Sequence, residues 1–150
     1  MKLINKLCIA AFGLMLLQTP AFADDDLPIE FNQLPLKAQT ILKNNFGSLQ
    51  IEELEMEKDG SRRKYEVKFV DGSSIEFYKN GEWKEIECKK GVPARLIPAP
   101  ILKHIAHRWA NKKVYVLKIE KEERKYEVEL SNDVEITFNK NFKVIDVDRD

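Results

Sequence analysis

Lys64-Tyr65-Glu66-Val67-Lys68-Phe69 returns 61 residues later as Lys125-Tyr126-Glu127-Val128-Glu129-Leu130. The same offset matches Ile75 with Ile136, Phe77 with Phe138, Asn80 with Asn141 and Ile86 with Val147. Upstream, Leu34 to Phe46 matches Ile97 to Trp109 at an offset of 63, pairing Pro35 with Pro98, Ala38 with Ile101, Leu42 with Ile105 and Phe46 with Trp109. The change of offset means that one loop is two residues shorter in the second copy. Self-similarity of this kind marks a repeated structural unit. The chain therefore reads as two units, 24–89 and 92–150, joined through Lys89-Lys90-Gly91.

Each unit opens with a helical pattern. Pro35 and Pro98 suit a first helical turn, where no backbone N–H is needed. Ala38, Ile41, Leu42 and Phe46 share one face at helical spacing, and Ile101, Ile105 and Trp109 repeat it. Four strand-like segments follow in each unit, near 50–57, 64–70, 74–79 and 83–88 in the first. Leu54 and Met56, then Tyr65, Val67 and Phe69, then Ile75 and Phe77, then Ile86 and Cys88 alternate with mostly charged residues. In the second unit Leu117 and Ile119, Tyr126, Val128 and Leu130, Ile136 and Phe138, and Ile145 and Val147 do the same. Period-2 alternation is the signature of a sheet with one packed and one solvated face. The predicted fold is α+β: two tandem repeats, each an N-terminal helix packed on a four-stranded antiparallel meander.

Turn chemistry fixes the expected register. A three-residue Asp71-Gly72-Ser73 loop sets Phe69 opposite Ile75, keeping apolar residues together, since a one-residue slip would turn every side chain over. Asn80-Gly81 reads as a two-residue hairpin turn. It would set Tyr78 opposite Trp83 on the solvated face.

Residues 1–23 read as a secretory leader: Lys2 and Lys6, an apolar run from Leu7 to Leu17, and Ala21-Phe22-Ala23 before Asp24-Asp25-Asp26. The run is shorter than the roughly 20 residues that span a bilayer, so no membrane insertion is expected after cleavage. Removal takes Cys8 away and leaves Cys88 alone, so no internal disulfide can form. The expected location is periplasmic or secreted. With 25 Lys+Arg against 25 Asp+Glu, the chain lacks the basic excess of a nucleic-acid binder. No Gly-rich phosphate loop, GxSxG or HExxH motif is present. His104 and His107 stand three apart on the second helix, but two ligands do not make a zinc site. The chain is expected to be no enzyme and to need no cofactor.

Two features carry a functional reading. Tyr78 and Trp83, side by side on a charged sheet face, form a candidate binding hot spot or a stabilising cross-strand pair. Glu66, Glu76 and Glu85 belong to a carboxylate-rich face that could meet a basic partner or a cation, or simply keep the sheet soluble. Tyr78, Trp83, Glu66, Glu76 and Glu85 are the candidate partner-binding residues.

The leader, the two helix-then-strands units, the paired Lys64–Phe69 and Lys125–Leu130 segments, the Asp71-Gly72 turn, the Lys79-Asn80-Gly81-Glu82-Trp83 hairpin and the Val92-Pro93 start together resemble the PepSY-like family of exported bacterial proteins, also described as beta-lactamase-inhibitor-like. The second unit departs from the pattern with Asn132-Asp133 and Asn141-Phe142 in place of glycine-containing turns. The resemblance implies a fold similar to beta-lactamase inhibitor proteins. It also implies a module that binds another protein, of which a hydrolase is one candidate. The alternative is a small-ligand or cation sensor using the carboxylate face. No inhibitory residue carries over, because the resemblance lies in scaffold positions.

Overall fold

The computed structural model describes residues 26–59 and 62–149. The leader expected over 1–23 lies outside the described residues. In chain order the elements are β1 (Asp26–Pro28), α1 (Leu36–Phe46), β2 (Ile51–Asp59), β3 (Arg62–Phe69), β4 (Ser74–Tyr78), β5 (Trp83–Glu87), α2 (Ala99–Arg108), β6 (Val116–Lys121), β7 (Lys125–Leu130), β8 (Val134–Asn139) and β9 (Val144–Arg149). A short 3-10 turn precedes each helix, at Phe31–Gln33 and Ala94–Leu96. Among the described residues, no helix is long and apolar enough to cross a membrane.

All nine strands lie in one antiparallel sheet, in the order β1 to β9. This corrects the expected pair of tandem helix-plus-four-strand repeats: the strands of both units form a single sheet. β5 pairs directly with β6 through Glu85↔Glu120, Ile86↔Ile119 and Glu87↔Lys118. The Cys88 amide donates to the Leu117 carbonyl at 2.8 Å, and the Val92 amide to the Val116 carbonyl at 2.8 Å. The physical reason is the fully buried Ile86 on β5. An edge there would leave unpaired backbone groups beside a buried aliphatic side chain, and β6 satisfies both.

The register sets one aliphatic row across eight strands: Leu54, Val67, Ile75, Ile86, Ile119, Val128, Ile136 and Val147. The six inner members, Val67 to Ile136, are fully buried. α1 sets Ala38, Leu42 and Phe46 into the same core, and α2 sets Ile101 and Ile105. Both helices therefore cover one face of the sheet and leave the other uncovered. Each buried aliphatic side chain contributes about 1.5–3 kcal/mol.

Four of the hairpin loops share one geometry. Each has three residues, the third with positive φ: Gly72 at 83°, Gly81 at 80°, Asp133 at 59° and Phe142 at 60°. The Phe69 amide donates to Ser73 O at 2.9 Å, so the first loop is Val70-Asp71-Gly72, one residue earlier than expected. Val67 consequently faces Ile75, and Tyr65 faces Phe77. The Tyr78 amide donates to Glu82 O at 2.8 Å, making Lys79-Asn80-Gly81 a three-residue loop rather than a two-residue turn. Gly81 is required twice over. Its φ favours glycine, and a Cβ there would sit 2.8 Å from Pro35 Cβ.

A single sheet on a single core should melt as one unit. Calorimetry is expected to show one cooperative transition. Ile86→Ala, at the β5–β6 junction, is expected to cost about 2–5 kcal/mol without splitting it. Two separate transitions would contradict the continuous core.

Candidate functional site

The uncovered face carries the charged residues. Glu55, Glu66, Glu76, Glu85, Glu120 and Glu127 stand directly opposite one another on β2 to β7, each half-buried. Like charges placed directly opposite destabilise a sheet, so the flanking lysines matter. Lys68 Nζ reaches Glu53 at 2.8 Å, Glu66 at 3.6 Å and Glu55 at 4.0 Å. Lys84 Nζ lies 3.0 Å from Glu76 and 3.3 Å from Glu120. Lys118 Nζ lies 3.0 Å from Glu85. The hydrogen bond from Lys68 holds the Glu53 carboxyl below its ordinary range, whereas desolvation and the Glu53 charge push Glu55 upward.

Lys84 occupies its place because of a β-bulge. Glu76 faces Glu85 and Phe77 faces Trp83, so Lys84 is the extra residue on β5. Its ammonium therefore joins Glu76 and Glu120 on the open face. Burial alone would lower its pKa, but the hydrogen bond to Glu76 and the fields of Glu76 and Glu120 push it up to about 12.

The same bulge relocates Trp83. Phe77 is its partner, and Trp83 packs against the core on the helix-bearing side. There it lines a shallow recess with Lys37, Ile41, Leu96 and Tyr126. The expected Tyr78–Trp83 pair on the solvated face is thus corrected: the three-residue loop and the bulge turn the tryptophan away. The structure does bring Glu66, Glu76 and Glu85 together, as direct neighbours on β3, β4 and β5. Tyr78 shares their face, opposite Lys64. Its hydroxyl donates to the Lys121 carbonyl at 2.8 Å, and burial pushes its pKa upward.

Tyr78 lies in an open groove of about 1060 Å³. Arg62 and Arg63 of β3 line it on one side and Ile145 of β9 on the other. In a flat sheet, six strand spacings would separate them by about 29 Å. The sheet is therefore curled, with its open face concave. Bulges on β2, β5, β6 and β9 supply curvature of this kind. Lys79, Lys84, Arg124 and Lys125 make this end of the face basic. The far end of β7 to β9 is acidic: Glu129, Glu135 and Asp148 stand in one cross-strand row. Among the described residues, no cation lies within 4.0 Å of any of these three.

Sequence reading missed Lys84 and Ile145, because a bulge inverts the parity on which period-2 reading depends. It missed Arg63 and Arg124 because they flank turns, where alternation assigns no face. His104 packs edge-to-face on Phe138 at 5.5 Å, and His107 is exposed. Cys88 is buried.

A family model described as "Putative beta-lactamase-inhibitor-like, PepSY-like" matches residues 63–146. The chain belongs to this family. The match runs from β3 into β9 and so spans most of the open face. A search of the curated proteins finds no match. Among solved structures, a "putative periplasmic protein" of the DUF2874 family from Bacteroides vulgatus is 42% identical, with a TM-score of 0.80. The likeness covers 85% of this chain and 99% of that one. A "putative calcium-regulated periplasmic protein" from Bacteroides thetaiotaomicron is 41% identical, with a TM-score of 0.79 and the same two coverages. A third protein, from Bacteroides vulgatus and described as of unknown function, is 30% identical, with a TM-score of 0.74 over 82% of this chain and 98% of that one. The PepSY-like chain is periplasmic, as these relatives are described.

Two groups tie the stability of the PepSY-like fold to alkaline pH with the same sign. Lys84 is held charged up to about 12, so its contribution is complete below the free-lysine value of about 10.4 and is lost as pH rises through 12. Burial pushes the Cys88 thiol up from 9.0 to about 11, so the neutral thiol's contribution is lost between those values. The melting temperature is expected to fall from about pH 9 to 12, and Cys88→Ala should flatten the lower part of that fall. In the native state at pH 8 Cys88 should resist a thiol reagent that labels the unfolded chain at once.

Proposed function

We propose that this chain is a non-catalytic binding module of the periplasm that engages another protein through its concave open face. The observation that carries the reading is the uncovered, curled face itself. Both helices lie on the opposite side, and residues of β3, β4, β5, β7 and β9 line one open groove around Tyr78. Tyr78 is the aromatic anchor, with an apolar ring and a hydroxyl already satisfied by Lys121. Glu66, Glu76 and Glu85 lie on the same face next to the groove, and Arg63 and Arg124 line it. Trp83 takes no part in that contact, since it faces the helices. The family's inhibitor-like description supports a hydrolase as the class of partner. The carboxylates of Glu66, Glu76 and Glu85 are already paired with Lys68, Lys84 and Lys118, and no described nucleophile stands beside a base there, which supports binding rather than catalysis.

The test begins with capture from periplasmic extract and ends with the purified partner. Tyr78→Ala is expected to weaken its binding roughly 30-fold, the ~2 kcal/mol of a hot-spot aromatic, while Trp83→Phe leaves it unchanged. Equal affinity for wild type and Tyr78→Ala would dismiss the open face as the contact.

One observation favours a second reading, a cation-regulated module. Carboxylate oxygens of Glu120, Glu122 and Glu127 all lie within 4.8 Å of one another. Such oxygens suit Ca²⁺, and one similar structure is described as calcium-regulated. The cation would have to displace Lys84 from Glu120, and Lys125 from both Glu122 and Glu127. Saturating calcium should then raise the melting temperature of the wild type, by the equivalent of about 2.7 kcal/mol at a hundredfold excess over Kd. The rise should disappear in Glu122→Gln/Glu127→Gln. An unmoved melting temperature removes this reading and leaves the first intact.

A further inference from the structure

Every residue of β9 is exposed, and β9 ends the sheet. Val144, Ile145 and Val147 are 37%, 58% and 48% exposed, unusual values for aliphatic residues in a strand. No other described strand covers its outer edge.

The interior of the same sheet shows what such an edge accepts. β9 sits on β8 in the register with which β5 sits on β4. Val147 faces Ile136 as Ile86 faces Ile75, Asp148 faces Glu135 as Glu87 faces Ser74, and Asp146 faces Thr137 as Glu85 faces Glu76. Even the bulges coincide, with Val144 opposite Phe138 as Trp83 is opposite Phe77. The outer edge of β9 is thus the counterpart of the outer edge of β5, and β5 is occupied by β6. There Ile119 lies on Ile86, Lys118 stands opposite Glu87, and Lys118 Nζ reaches Glu85 at 3.0 Å. On β9 the corresponding aliphatic and acidic groups are Val147, Asp146 and Asp148, with nothing described opposite them.

We propose that β9 is a strand-addition site for an extended basic segment of another protein. The segment pairs antiparallel to β9, with an aliphatic residue on Val147 and Lys or Arg opposite Asp148 and Asp146. Main-chain hydrogen bonds supply affinity and the alternating side chains supply selectivity. A second copy of this chain does not fit. Two β9 strands related by a two-fold axis at Val147 would set Asp146 against Asp148. The opposite edge of the sheet is closed by β1, whose Pro28 has no N–H to give. Beneath it β2 offers Glu53 where β6 offers Lys118, since Glu53 neighbours Leu54 as Lys118 neighbours Ile119. The charges therefore select against self-association and for a basic strand. This inference is independent of the open-face reading, because it concerns the edge and not the groove.

The test uses a synthetic, end-blocked peptide of residues 115–121 carrying E120K, so that lysines fall opposite Asp148 and Asp146. Its binding to the full exported chain is followed by calorimetry and by backbone amide shifts at low ionic strength. Saturable binding with shifts centred on 144–149 is expected. A peptide with Glu at both positions should bind about tenfold more weakly, the effect of reversing two cross-strand charge pairs. Asp146→Lys/Asp148→Lys, a surface change that leaves the core untouched, should reverse the order of the two peptides. Val147→Pro, which removes an outward N–H at an edge position that tolerates proline, should abolish both interactions. Absence of binding, shifts centred elsewhere, or equal affinity for the two peptides overturns the proposal. So does a wild-type dimer in sedimentation that Val147→Pro dissolves, which would assign the edge to a second copy.

Discussion

The pairing of Ile86 with Ile119 is the contact on which the rest of the molecule depends. It joins β5 to β6 at the centre of an aliphatic row that crosses eight strands, and both residues are fully buried. Without it, each half would present a short unpaired edge beside its core. With it, the residues that α1 packs and those that α2 packs form one core, and the row from Leu54 to Val147 holds every strand in register. A slip at this junction by one residue would set Ile119 opposite a glutamate and invert the faces of all strands beyond it.

That register also decides the open face. Because side chains alternate with period 2, aligning the aliphatic row necessarily aligns the residues beside it. Here those residues are Glu55, Glu66, Glu76, Glu85, Glu120 and Glu127. A row of carboxylates at strand spacing is tolerable only if cations are interleaved. Lys68 and Lys118 come from the neighbouring row, while Lys84 comes from a bulge that gives β5 an extra residue on that side. The compensation thins at β7: Lys118 stands opposite Glu129, but no described cation lies within 4.0 Å of Glu129, Glu135 or Asp148. The face is therefore polar in the electrical sense, basic around Tyr78 and acidic towards β9.

Much of this was legible in the sequence. The Lys64–Phe69 and Lys125–Leu130 repeat pointed to strands β2 to β9, and the Leu34–Phe46 and Ile97–Trp109 match to both helices and their buried faces, because amphipathic spacing is a local property; β1 was not read. The faces of Glu66, Glu76 and Glu85 followed from the same alternation. Two things were not legible. The merging of all strands into one sheet depends on an edge-to-edge contact between segments more than 30 residues apart, and nothing in Ile86 or Ile119 taken singly announces it. The position of Trp83 depends on whether Asn80-Gly81 closes a two-residue or a three-residue loop. Both loop types accept glycine, and only the packing of Gly81 against Pro35 and the bulge at Lys84 decide.

The 61-residue offset also supplies an internal control on what is scaffold and what is free to differ. Tyr65 and Tyr126, Val67 and Val128, Ile75 and Ile136, and Phe77 and Phe138 are the same residues at corresponding places, and all face the core side. Corresponding positions that differ without changing the backbone are outside that set. Gly81 and Phe142 share one positive-φ geometry, the first because a side chain would strike Pro35, the second with its ring stacked on Tyr126. Lys84 and Ile145 occupy the same bulge, one an ammonium between two carboxylates and the other an exposed aliphatic residue at the mouth of the groove. Trp83 and Val144 share a register position, yet only Trp83 lies beneath a helix. At the bulge the backbone accepts either residue, so folding alone does not choose between Lys84 and Ile145, whereas Pro35 dictates the glycine at 81. The asymmetry of the open face therefore sits at a position that the backbone leaves free.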